Sequence, residues 1–237
     1  MNRFSLSRLF SWIVSLLVPI ALVLSAVRLL LTPLFINIEY RMPGFPPDVY
    51  GFTESERLYY ADIARQYLLN DADISYLGDL RFSDGKQTPP ATCKFMIDCT
   101  YLYNDRELKH MEDVKAVVKG AINVWYVSLI ALVGLGIWAW FGNWWNEYRR
   151  GLSRGGWLTV VLIAGILFMV LATFGVIFVA FHNVFFESGT WTFLYSDTLI
   201  RLFPERFWRD TFLAVGILAG TAGITLGYLA RLKRQGE

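Results

Sequence analysis

The sequence predicts an all-α, polytopic membrane protein: a four-transmembrane-helix bundle capped by a small extracytoplasmic, mostly helical domain. Of the 237 residues, 55% are hydrophobic and 18% are charged, and the mean hydropathy is +0.40. That is apolar for a soluble domain and ordinary for a polytopic membrane protein. Four segments, 9–31, 121–141, 157–181 and 212–229, reach the length of about 20 apolar residues that a bilayer crossing takes. Between the first and second lies a polar stretch with its own helix signals. The net charge of +2 gives no reason to expect nucleic acid as a partner.

The first apolar run is too long for the core of a signal peptide, and no small-x-small cleavage site follows it, so it is expected to be a retained anchor. Orientation follows from the basic residues near the span ends. Arg3 and Arg8 precede the first span, Arg149, Arg150 and Arg154 fill the turn between spans two and three, and Arg231, Lys233 and Arg234 follow the fourth. With four spans these sets share one side. Both termini are then cytoplasmic, in a multi-pass membrane protein. The expected organisation is a transmembrane helix at 1–35, an extracytoplasmic domain at 36–120, and three spans at 121–237 with an outer interfacial loop at 182–210.

Both cysteines, Cys93 and Cys99, fall in the external segment. An oxidising compartment allows a local disulfide, and two free thiols are the alternative. Around them, 71–98 reads as loop, with a short strand near 94–97.

Upstream, Thr53-Glu54-Ser55-Glu56 has the form of a capping box, which starts a helix running to about Leu69. Leu58, Ala61, Ala64 (or Arg65) and Leu68 recur on one of its faces. Glu56 and Arg57 sit where a solvated face or a cleft could use them.

Further on comes NDRELKHMEDVK, residues 104–115. Asn104 can cap and Glu107 stands at the third helical position, with Asp105 and Glu107 in the first turn, where the helix dipole favours acids. This helix should continue to Lys119 and enter the second span after a bend near Gly120. His110 shares a face with Arg106, Glu107 and Asp113 at spacings of three or four.

The chain's other histidine, His182, sits where the third span ends. An aromatic-rich loop follows it, from Phe185 to Trp208, suited to a membrane interface. Asp197 can N-cap a short helix that lays Leu199, Ile200 and Phe203 in lipid. Both histidines are thus expected at the outer leaflet.

A neutral imidazole is the usual general base near neutral pH. The pair could instead hold a metal with a carboxylate, or simply hydrogen-bond at the interface. No HxxxH or HxH spacing exists, so no metal and no cofactor are expected. No GxSxG occurs and no Ser or Cys adjoins a histidine. Arg28, near the outer end of the first span, either snorkels outward or contacts ester and carbonyl groups.

Three blocks then resemble a known family. GFTESERLYYA (51–61), DRELKHMEDVK (105–115) and FHNVFFESGTWTFLYSDTLIRLFPERFWRD (181–210) are similar to signature blocks of the lipoprotein intramolecular transacylase (Lit) family of bacterial integral membrane proteins. Block order and span layout match over nearly the whole chain, while CKFMIDC (93–99) lies outside the pattern. The resemblance implies an acyltransferase that moves the sn-2 acyl chain of a diacylglyceryl lipoprotein to the α-amine of its N-terminal cysteine, giving a lyso-form. It places the family's two functional histidines on His110 and His182.

The chemistry agrees with the residues. A histidine can take the amine's proton and return one to the departing glycerol oxygen, and nucleophile and ester share one substrate, so orientation is the main demand. His110 is expected as base and His182 as acid or oxyanion donor, with the reverse allowed. Arg106, Glu107 and Asp113 would orient His110, and Asp197 would orient His182. Expected partners are the diacylglyceryl lipoprotein and membrane lipids, with the enzyme a monomer. The competing readings are another membrane lipid esterase or acyltransferase, a non-catalytic lipoprotein-binding protein, and, least supported, a transporter.

Overall fold

The computed structural model describes residues 3–83 and 85–232, with side chains over 6–83 and 85–231. The Arg3 side chain, Lys233 and Arg234, counted above for orientation, lie outside the described residues. The described chain folds into helices, with one isolated antiparallel bridge between Arg81 and Tyr101. Two compact units emerge: Met1–Leu29, Ala121–Ala172 and Phe212–Glu237 form one, and Leu30–Gly120 with Thr173–Thr211 form the other.

The first unit draws on four long helices: α1 (Arg3–Leu30), α6 (Asp105–Phe141), α7 (Trp145–Phe185) and α9 (Glu205–Leu232). All four are long and apolar enough to cross a membrane. Their outward surfaces carry Val127, Ile130, Phe168 and Leu171 exposed, a surface that hydrocarbon covers without penalty. Inside, small residues let backbones meet. A Cβ on Gly155 would lie 2.5 Å from Val18 of α1, and one on Gly156 would lie 2.6 Å from the Gly223 carbonyl of α9. Ser15 and Ser153 add hydrogen bonds to the carbonyls of Gly151 and Gly227 at 3.2 and 2.9 Å.

No break in the helix falls at Gly120: α6 is continuous from Asp105 to Phe141. One glycine costs a helix only about 1 kcal/mol, and a spanning segment keeps its backbone bonds internal. The non-helical backbone lies instead in α7, at Thr173 (φ −152, ψ 65).

The second unit holds α2 (Pro33–Glu39), α3 (Glu54–Leu69), α4 (Ser75–Gly78), α5 (Pro90–Cys93), α8 (Thr198–Leu202), the start of α6, the end of α7 and the first residues of α9. Its main core joins Tyr60, Ala64 and Tyr67 of α3 to Leu77, Leu102, Tyr103, Met111, Leu199 and Leu202. A second cluster gathers Ile36, Tyr40, Ala61 and Phe207. The capping box at Thr53 forms as expected, with Glu56 at the third position. The buried face of α3 is shifted, however: Arg57, Tyr60 and Tyr67 are buried with Ala61 and Ala64, while Leu58 and Leu68 are only half-buried. Large rings fill the space that two alanines leave.

Neither Glu56 nor Arg57 faces the histidines. Glu56 pairs with Lys86 at 2.6 Å. Arg57 lies over the rings of Tyr40 and Phe45 and donates to the Pro46 carbonyl at 2.6 Å. No strand forms at 94–97, because a strand needs a partner for its ladder; the chain makes α5 and turns there. Cys93 and Cys99 are joined as a disulfide.

Two further features of this unit escape pattern reading. Arg201 of α8 is buried against Asp48 at 3.0 Å and lies over the Phe52 ring at 3.8 Å. Glu39 of α2 is 1% exposed, and burial together with the Asp210 carboxylate raises its pKa from the ordinary 4.5 to about 7.

Candidate active site

All parts of the site belong to the second unit. The start of α6 is built by a reciprocal cap. The Glu107 backbone N–H donates to the Asn104 side chain at 3.0 Å, and the Asn104 N–H donates to the Glu107 carboxylate at 3.0 Å. One turn on, His110 turns inward with 8% exposure, and His182 near the end of α7 has 9%. Their rings face each other, 6.2 Å between centroids and 21° from parallel. Phe186 and Phe193 pack on His110 at 4.9 and 5.3 Å, and Phe178 and Trp191 on His182 at 4.1 and 4.7 Å. The pair therefore sits in an aromatic box. Phe186, Trp191 and Phe193, expected as interface anchors, line it.

The two imidazoles are held differently. His182 Nδ1 lies 2.8 Å from the Phe178 carbonyl oxygen. A carbonyl only accepts, so Nδ1 carries the proton, and in the neutral ring Nε2 presents its lone pair. His110 Nδ1 is buried without a hydrogen-bond partner, so no protein acceptor pins its tautomer. The Trp191 indole Nε1–H is also buried and unpartnered, which costs a fold about 1–3 kcal/mol.

The loop that carries Trp191 and Phe193 is held by Asp197, whose side chain is fully buried. Its carboxylate accepts from Thr92 Oγ1 at 2.7 Å, Leu194 N at 2.8 Å, Arg106 Nη2 at 3.1 Å and Asn104 Nδ2 at 3.3 Å. Arg106 in turn lies over the Phe193 ring at 5.7 Å.

Several expectations give way here. Asp197 stands at the N-cap position of α8 but makes no side-chain cap bond; its oxygens are taken by α5, α6 and its own loop rather than by His182. Glu107 supplies the missing cap, accepting the Leu199 N–H at 2.7 Å. Glu107 thus binds backbone rather than His110. Leu199 packs in the core instead of lipid, because α8 is tied to α6 at that end. Asp113 pairs with Lys109 at 3.5 Å and acts on His110 through its charge. Arg28 lies in the last turn of α1, within the first unit.

Among the described residues, no group of three or more His, Cys, Asp or Glu is placed to hold a metal ion. A surface cleft of about 390 Å³ lined by Glu56, Tyr59, Arg81 and their neighbours includes neither histidine.

Comparison with known proteins adds four findings. Residues 12–208 match the family model described as lipoprotein intramolecular transacylase Lit. A protein of Aquifex aeolicus (strain VF5), described as uncharacterized, is 32% identical over 222 residues, covering 92% of this chain and 91% of its own. Among solved structures, the membrane-integral lipoprotein intramolecular transacylase Lit from Bacillus cereus superposes with a TM-score of 0.76 at 20% identity, covering 99% of this chain and all of that one. A histidine-to-arginine variant of that protein superposes with a TM-score of 0.65 at 18% identity, covering 99% of this chain and 96% of that one.

Proposed function

The chain belongs to the lipoprotein intramolecular transacylase family, Lit, and from that premise we propose that it moves the sn-2 acyl chain of a diacylglyceryl lipoprotein to the α-amine of the lipoprotein's N-terminal cysteine. It is an integral membrane transacylase. The observation that carries the finer reading is the facing pair of buried imidazoles, one with a fixed tautomer, in an aromatic box.

The tautomers support the reverse of the first expectation about roles. The neutral amine attacks the ester carbonyl, a C–N bond forms, and the carbonyl electrons move to oxygen. His182 Nε2, held as an acceptor, takes the amine proton. The C–O bond to glycerol then breaks, and its electron pair takes the Nε2 proton of His110, whose free tautomer can place one there, as the imidazolium of His182 returns a proton to His110 Nδ1. The products are an amide and an sn-2 hydroxyl, and both imidazoles are neutral again. Because the amine and ester share one substrate molecule, holding them together supplies much of the rate. The aromatic walls exclude water, which would otherwise compete with the amine for the ester.

On this reading the site lies at the outer leaflet, both termini are cytoplasmic and the enzyme is a monomer. Within the first unit, Arg149 at the start of α7 donates to the Ala230 carbonyl at the end of α9 at 2.9 Å, and Arg154 reaches Ser11 of α1 at 3.3 Å. The basic ends of α1, α7 and α9 thus lie together, which supports a common cytoplasmic side.

The test is replacement of each histidine by Gln, followed by mass spectrometry of a diacylglyceryl lipoprotein mixed with the purified variant. Both variants should leave it unconverted. Full conversion to the lyso-form by either would sink the mechanism. Release of free fatty acid by the unaltered enzyme would move the reading to a lipid esterase.

A further inference from the structure

The acyl transfer proposed above builds negative charge on the ester carbonyl oxygen, and the two histidines do not meet that need. His182 presents a lone pair, and the proton of His110 is assigned to the leaving oxygen. A third group must donate to the oxyanion. The polar groups around the site are mostly spoken for. Thr92, Leu194 N, Arg106 and Asn104 all donate to Asp197, and Leu199 N donates to Glu107.

Among the described residues whose rings pack on His182, one carries a donor left over. Trp191 Nε1–H is buried and has no acceptor, and its indole lies 4.7 Å from the His182 ring. An indole nitrogen can only donate, so an acceptor has to come from outside the chain. A buried donor without a partner calls for an explanation, and a catalytic role is one. The ring is also held in place: the loop bearing it is anchored by the fully buried Asp197, so the N–H needs no reorganisation during the reaction.

We infer that Trp191 is a catalytic residue whose indole N–H donates to the carbonyl oxygen of the migrating acyl group and stabilises the oxyanion. The inference rests on the acyl-transfer reading of this site. It gives the aromatic box a polar point, and it makes the substrate's own ester oxygen the missing acceptor.

The test is Trp191→Phe in the full-length protein, which keeps an aromatic wall and removes the N–H. The expected result is a fall in kcat on the order of 100- to 1,000-fold with KM little changed, as for loss of one oxyanion donor. If the Phe variant does not fold, site-specific replacement of Trp191 by benzothienylalanine keeps the bicyclic shape and removes only the N–H, and the same fall is expected. A folded variant with kcat within about twofold of the unaltered enzyme overturns the inference. An increase in KM with kcat unchanged also overturns it, assigning Trp191 to substrate binding alone. The His110→Gln and His182→Gln variants run beside it separate the two failures. Inactive histidine variants with an active Trp191 variant remove only the oxyanion donor, whereas active histidine variants remove the acyl-transfer mechanism itself.

Discussion

Glu107 of α6 accepts the backbone N–H of Leu199, 92 residues away, at 2.7 Å, and so caps a helix it does not belong to. The same carboxylate closes the cap of its own helix through Asn104 N at 3.0 Å. One side chain therefore sets both the start of α6, one turn before His110, and the start of α8.

Glu107→Ala should open both caps at once and leave two backbone N–H groups buried without acceptors. The expected loss is about 2–4 kcal/mol, from about 1–3 kcal/mol for each orphaned group offset by relaxation. Thermal unfolding in detergent would measure it. Transacylation should fall as well, because the helix turn that aims His110 frays.

Asp197→Asn keeps the shape of the side chain but exchanges an acceptor oxygen for a donor NH₂. Two of the four donors now on the carboxylate, at Thr92, Asn104, Arg106 and Leu194, would meet another donor. The predicted cost is about 1–3 kcal/mol. Hydrogen exchange should show faster exchange at the Leu194 amide, and turnover should drop with it, since the loop carrying Trp191 and Phe193 is no longer held.

Glu39 gives a pH dependence. Its carboxyl holds a proton up to about pH 7 in the folded protein, against an ordinary 4.5, first because it is buried and second because Asp210 is beside it, with Arg206 and Arg209 pulling the other way. The folded state binds more protons than the unfolded state between those values, so this contribution to stability is full below pH 4.5 and is lost as the pH rises through about 7. At about 1.4 kcal/mol per unit, discounted for the nearby arginines, the swing is roughly 1–3 kcal/mol. Unfolding curves at pH 5 and pH 8 for the unaltered protein and for Glu39→Gln should show that the substitution removes this part of the slope. Parallel slopes would refute it.

Gly156 tests the packing of the spanning helices. A methyl group there would sit 2.6 Å from the Gly223 carbonyl and 2.7 Å from the Gly227 nitrogen, both backbone atoms that cannot turn aside. Gly156→Ala should push α7 from α9 and destabilise by about 1–3 kcal/mol. Gly165→Ala, where a Cβ meets nothing within 4 Å, serves as the control and should be neutral or slightly stabilising.

The four long helices, the capping boxes at Thr53 and Asn104, and the two histidines were legible in the residues, because hydropathy, capping chemistry and rarity are local or compositional signals. Asn104 and Glu107 cap α6 as their spacing of three requires, whatever lies around them. The partners of charged side chains were not legible. The position of Asp197 suggests a cap for its own helix and a support for His182, yet its oxygens accept from Thr92 and Arg106, 105 and 91 positions away. Arg201 and Asp48 meet across 153 positions. Burial imposes these choices: a carboxylate taken out of water must collect every donor the fold brings near, and the fold, not the spacing, decides which those are.

The same division runs through the site. Residue type and position alone mark His110 and His182 as the titratable pair of a membrane protein. Their separation of 6.2 Å, the fixed tautomer of His182 and the unpartnered indole of Trp191 arise only when α6, the end of α7 and the loop after it pack together. Proton position and unmet hydrogen bonds are properties of neighbours in space, and a linear chain has none until it folds.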